Sequence, residues 1–80
     1  MIRVYTKPNC VQCDMTKRVL RQRGVEFEED DIQDAGNLEA VLALGFAAAP
    51  VVHAGGDDIW AGFQPERLHA AIDRVQKENQ

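Results

Sequence analysis

Val4-Tyr5-Thr6-Lys7-Pro8-Asn9-Cys10-Val11-Gln12-Cys13 is the stretch on which the reading of this chain turns. Ile2 and Val4 alternate with Arg3 and Tyr5, which marks a short strand ending at the loop Thr6 to Asn9. The residues that follow predict a helix with Met15, Val19 and Leu20 on its inner face. Two cysteines three positions apart therefore open that helix, with Cys10 at its N-terminus and Cys13 one turn inside. Gly24 stops it, because glycine readily takes the left-handed conformation just past a helix end, and Arg21 and Arg23 complement the negative end of the dipole.

Working outward, Val25, Phe27 and the neighbouring acidic residues predict a second strand, giving a β-α-β start with parallel strands. Asn37 is the expected cap of a second helix of about two turns, carrying Leu38, Val41 and Leu42 inward and closed by Gly45. Pro50-Val51-Val52 opens a third strand, Gly55-Gly56-Asp57 a hairpin turn, and Ile59-Trp60 a fourth strand. Pro65 fits the first position of a last helix, whose Leu68, Ala71, Ile72 and Val75 follow the i, i+3, i+4, i+7 spacing of one buried face. The order is β-α-β-α-β-β-α: an α/β fold with a four-stranded mixed sheet flanked by three helices.

At 80 residues and 45 % apolar content the chain has room for one core, so residues 1–80 are expected to form a single domain. No apolar run approaches the ~20 residues that span a bilayer, and Arg3, Lys7 and Pro8 interrupt any secretory segment, so no membrane association and a cytoplasmic location are expected. The formal charge is −4, unevenly placed: residues 1–23 hold six Lys/Arg against Asp14 alone, and residues 24–80 hold three against twelve Asp/Glu. An acidic chain lacks the broad basic face that binding phosphate backbones requires, so nucleic acid is not an expected partner.

Two close cysteines in a reducing compartment point to catalysis or metal binding rather than to a structural bridge. The position of Cys10 favours its thiolate, since unpaired backbone N–H groups and the positive end of the dipole face it, and activated thiols of this kind titrate in the range of about 3.5 to 7.5. Lys7 and Lys17 are candidate charge partners. Cys10 is thus the expected nucleophile, forming a mixed disulfide with a substrate, and Cys13 the resolving thiol that attacks Cys10 and releases the reduced product. Zinc would need four ligands, and neither His53 nor His69 stands at finger spacing from the pair, so no metal is expected. Both histidines read as packed or surface residues. Ala49-Pro50 at the mouth of the third strand is expected to be a cis bond facing the active cysteine.

These residues resemble a known family, the glutaredoxin-like redoxins called NrdH, a branch of the thioredoxin-fold superfamily. The resemblance rests on Val4-Tyr5-Thr6-Lys7-Pro8 before Cys10-Val11-Gln12-Cys13, on Thr16-Lys17-Arg18 after it, and on Leu42-Ala43-Leu44-Gly45-Phe46. Ala49-Pro50-Val51-Val52 and Trp60-Ala61-Gly62-Phe63-Gln64-Pro65-Glu66 extend it. It implies a thioredoxin/glutaredoxin-like fold and a dithiol-disulfide oxidoreductase that donates electrons to the large subunit of a class Ib ribonucleotide reductase. Thioredoxin reductase would re-reduce it, so that NADPH is used indirectly and no cofactor is bound beyond the Cys10–Cys13 disulfide.

Glutaredoxins that hold glutathione resemble one another in a Thr-Val-Pro turn and paired carboxylates before the last helix. Here the turn is Ala48-Ala49-Pro50, and Ala61 to Pro65 lacks the carboxylates; Gly55-Gly56-Asp57-Asp58 precedes Trp60 and reads as turn chemistry. Ala61 and Gln64 stand where the NrdH branch usually carries Ser and Arg. Val11, Gln12, Trp60, Gly62 and Phe63 are the expected partner surface, with Trp60 and Phe63 alternatively core residues whose burial decides the matter. The competing functions are a glutathione-dependent glutaredoxin and a redox-inactive thioredoxin-fold binding or metal-holding module. A reducing carrier of this kind is expected at about −200 to −270 mV and, as a transient carrier, to be monomeric.

Overall fold

The computed structural model describes residues 1–78. Four strands, β1 (Ile2–Thr6), β2 (Phe27–Asp31), β3 (Val51–His53) and β4 (Ile59–Ala61), form one sheet in the order β2-β1-β3-β4. β1 pairs parallel with β2 and antiparallel with β3, and β3 pairs antiparallel with β4. The helices are α1 (Val11–Gln22), α2 (Ala35–Ala43) and α3 (Pro65–Glu78). This is the mixed four-stranded, three-helix arrangement expected from the sequence.

Alternation along β1 divides the interior. Ile2 and Val4 face one side, where Val52, Ala54 and Trp60 of the sheet region meet Leu20 of α1 and Leu68, Ala71, Ile72 and Val75 of α3. Tyr5 and Val51 face the other side and meet Val41 of α2, with Ile32, Leu44 and Phe46 packed around them. β2 is an edge strand of sequence Phe27-Glu28-Glu29-Asp30-Asp31, and its charges keep that open edge from pairing with another chain. Arg3 reaches across from β1 to Asp30 at 3.0 Å and also to Glu28. Asp30 foremost, then Glu28, holds the guanidinium pKa above its ordinary value, so Arg3 stays charged.

Three local expectations change. α2 begins earlier than Asn37: its cap is Asp34, whose carboxylate accepts from the N–H groups of Gly36 and Asn37, and the Asn37 side chain instead donates to Asp31 O. Of the apolar residues on α2 only Val41 is fully buried, while Leu38 and Leu42 are exposed. Ala40 and Leu44 flank Val41 as partly buried neighbours, so the face that α2 lays on the sheet is centred on Val41 and leaves Leu38 and Leu42 outside it. On α1 the buried row is Cys13, Thr16 and Leu20 rather than one containing Met15, which is exposed. Thr16 is tolerated inside because its hydroxyl donates to Gln12 O at 2.8 Å.

Candidate active site

Four residues, 7–10, carry the chain from the end of β1 to the start of α1. Asn9 takes a positive φ of 57° there, a conformation that asparagine tolerates better than most residues. It sets Cys10 in extended backbone as the cap of α1, with φ −120° and ψ 104°. The Cys10 sulfur accepts from the Cys13 N–H at 3.2 Å, and Cys10 O accepts from the Asp14 N–H at 3.0 Å. A cysteine thus occupies the position where Ser, Thr, Asp or Asn usually satisfies the free N–H groups of a helix start, in the part of the helix field that favours negative charge.

Cys10 and Cys13 are joined as a disulfide with their Cα atoms 5.2 Å apart. Their surroundings differ. Cys10 retains 8 % exposure, whereas Cys13 has none and heads the buried row of α1. Val11, between them, is 72 % exposed and is the most prominent apolar group beside the pair.

Two further segments close around the disulfide. The Ala49–Pro50 bond is cis, Pro50 is fully buried, and Ala49 O lies 3.9 Å from Cys10 Sγ. Pro50 O accepts from the Gly62 N–H at 2.8 Å, which fastens the turn after β4 to the turn before β3. Gln12 completes the arrangement by accepting from the Phe63 N–H at 2.9 Å. Gly62 is required at this crossing: its φ is +82°, and a Cβ there would stand 3.2 Å from Gln12 Oε1. Gln64 Nε2 donates to Ala61 O, which tightens the same turn from within.

The structure therefore gathers Cys10, Val11, Gln12, Cys13, Ala49, Pro50, Gly62 and Phe63 at one end of the sheet. It does not bring Trp60 to the surface: the ring is 2 % exposed, packs in the α1/α3 core and has the Arg67 guanidinium over it at 5.0 Å. The partner-surface role expected for Trp60 is withdrawn, because β4 alternation turns this residue inward. Phe63 is half-buried and keeps part of its ring available. Lys7 is exposed in the connecting loop. Lys17, expected beside Cys10, directs its ammonium to Glu29 of β2 at 3.1 Å and to Asp14 at 4.0 Å, so those carboxylates take up its charge. Asn9 has a local sequence signal, an Asn immediately before a helix cap, whereas nothing in the sequence near Gln12 points to the bond its side chain makes with the Phe63 N–H.

His53 lies on β3 and His69 on α3, where His69 Nδ1 meets Arg23. Among the described residues no three His, Cys, Asp or Glu side chains are placed to hold a metal ion, and no helix is long and apolar enough to cross a membrane.

The family model described as Glutaredoxin matches residues 2–59, a span that includes the disulfide, the cis turn and the start of β4. The chain belongs to the glutaredoxin family. Within it, the glutaredoxin-like protein NrdH of Salmonella typhimurium is 47 % identical over 74 residues, covering 85 % of this chain and 88 % of that protein. The glutaredoxin-like protein NrdH-redoxin from Escherichia coli, whose structure is described as the basis of a thioredoxin-like activity profile, superposes with a TM-score of 0.79 at 40 % identity. The match covers 86 % of this chain and 91 % of that one. A glutaredoxin from Archaeoglobus fulgidus superposes at 0.78 with 28 % identity, covering 89 % and 84 %. This glutaredoxin is accordingly of the NrdH type, and its Cys10–Cys13 pair is that of a disulfide oxidoreductase with a thioredoxin-like fold.

Proposed function

We propose that this NrdH-type glutaredoxin carries electrons to a class Ib ribonucleotide reductase and is itself re-reduced by thioredoxin reductase with NADPH. The unequal placement of the two sulfurs supports this reading most strongly: Cys10 caps α1 and borders solvent, and Cys13 is buried behind it. The name and activity description of the Escherichia coli relative point the same way. In the cycle, the Cys10 thiolate attacks a disulfide of the reductase's large subunit, one Cys10–substrate S–S bond forms, and the first substrate thiolate leaves. Cys13 then attacks Cys10 Sγ, the Cys10–Cys13 bond forms, and the second substrate thiolate departs with the electron pair. The substrate disulfide gains two electrons and the carrier loses two. No bound cofactor is required, since the disulfide itself is the redox group.

Partner contact falls to Val11, to the Ala49 carbonyl beside Cys10 and to the exposed part of Phe63, while Gln12 and Gly62 hold those segments in register. The carrier acts as a cytoplasmic monomer of one domain. Incubation of the oxidised protein with NADPH and thioredoxin reductase, and separately with glutathione, glutathione reductase and NADPH, tests the assignment. Reduction of a protein disulfide through the first system and not the second is the expected outcome. Turnover with glutathione alone would reassign the donor, and a Cys13→Ser protein that accumulates no mixed disulfide would reverse the roles of the two sulfurs.

A further inference from the structure

On α1 the residues turned away from the core begin apolar. At about 100° of turn per residue, Val11, Met15, Arg18 and Gln22 fall in one narrow stripe, diametrically opposite the buried row Cys13, Thr16 and Leu20. All four are exposed. The outward side of a surface helix is ordinarily polar, yet this one starts with Val11 and with Met15, 39 % exposed, which are i, i+4 neighbours on the helix surface. Both stand at the cysteine end: Val11 lies between Cys10 and Cys13, and Met15 is one turn further on.

The next member of the stripe is a cation without a counter-ion. Arg3, Lys17, Arg21, Arg23, Arg67 and Arg74 each form a salt bridge with a carboxylate, whereas among the described residues Arg18 forms none, nor does Lys7 in the loop before Cys10. Glu29 draws Lys17 and Arg21 to the β2 side of the helix, and Asp14, one turn before Arg18, turns to Lys17 at 4.0 Å. The positive charge left on α1 therefore points outward, along the same line as the exposed apolar pair. It does so on a chain whose formal charge is −4. An acidic partner is repelled by most of this molecule and attracted at this stripe, and such a contrast fixes the orientation of an encounter.

We infer that Val11, Met15 and Arg18 form a docking stripe for an acidic, disulfide-bearing segment of the electron acceptor. An apolar side chain beside the attacked cysteine of that segment covers Val11 and Met15, and a carboxylate further along pairs with Arg18. Val11 and Arg18 are about 10 Å apart along the helix axis, which an extended peptide spans in about three residues. The stripe runs directly into the dithiol, so the segment that docks on it delivers its disulfide to Cys10. The inference deepens the proposed function and rests on the reading that this protein reduces a disulfide of another protein.

Two synthetic peptides test it, each closed by one disulfide and carrying leucine beside the first cysteine; three residues beyond that cysteine one has glutamate and the other lysine. The chemically reduced full chain, with no reductase present, gives two electrons to the peptide disulfide and forms its own Cys10–Cys13 bond, and the rate is read at low ionic strength. The parent reduces the glutamate peptide about fivefold faster than the lysine peptide, and added salt brings the ratio toward one. Arg18→Glu inverts the preference. Lys77→Glu makes the same change in net charge in the last turn of α3, about 18 Å along that helix from its site end, and keeps the parent's ratio. Met15→Gln slows both peptides about threefold without altering the ratio. Equal rates on the two peptides, a preference that survives Arg18→Glu, or one lost equally in Lys77→Glu overturns the inference. A parent that sediments as a dimer, with Met15→Gln monomeric, assigns the stripe to a second copy of the chain and overturns it as well. Finite rates without preference sink only the docking stripe, whereas no reduction of either peptide sinks the carrier reading itself.

Discussion

The two faces of the sheet are built unequally. Between the sheet and the α1/α3 layer lie ten buried residues, and between the sheet and α2 only three, Tyr5, Val41 and Val51. Leu38 and Leu42 on α2 remain exposed where α3 hides Leu68, Ala71, Ile72 and Val75. The redox pair belongs to the thick face: Cys13 continues the buried row that ends at Leu20, so the buried sulfur of the pair is fixed by the best-packed part of the molecule. The thin face holds its helix by one fully buried residue, Val41, with Ala40 and Leu44 partly buried beside it, and contributes to the site only through the loop that leads from α2 to the cis proline.

Cavities should separate the two faces most sharply. Ile72→Ala removes a fully buried side chain from the thick face; truncations of this kind cost about 2–5 kcal/mol, and for a domain of this size the melting temperature falls on the order of 10–30 °C. Val41→Ala on the thin face removes two buried carbons, worth about 1.5 kcal/mol, and thermal denaturation of the pair of variants gives the ratio. If Val41→Ala proves as damaging as Ile72→Ala, the two faces are equal partners and the comparison fails. Gln12→Ala breaks the link from the dithiol turn to the Phe63 N–H. The loss is about 1 kcal/mol or less because water can replace the acceptor at that exposed donor, and it appears as faster hydrogen exchange at Phe63 with little change in melting temperature. Smallest of all, Leu42→Gln on the outer side of α2 stays within about 0.5 kcal/mol of the parent.

Most of the active site could be read from local order. A dithiol placed after one strand and before one helix needs no distant information, because a helix start has free N–H groups whatever surrounds it. The Trp60 region needed more. Its sequence carries two aromatics on either side of a glycine, and nothing within those residues says which ring turns inward; Trp60 is buried because it lies opposite Val52 in the hairpin register and under α3. Lys17 shows the same limit for charge. Its place near the cysteines in the chain suggested a field on Cys10, but parallel pairing of β2 against β1 brings Glu29 to it first.

Sequence alone determined the order of the elements, the stops at Gly24 and Gly45, the inner face of α3 and the unequal standing of Cys10 and Cys13. Each follows from backbone preference or from spacing within one segment. Tertiary structure decided which side chains those elements hide and what crosses between them: Thr16 rather than Met15 inside α1, Val41 alone fully buried beneath α2, and the Gln12 to Phe63 bond that ties two distant turns together. Such choices depend on which surface arrives opposite a residue from elsewhere in the chain, and periodicity within a segment cannot encode the approach of its neighbour.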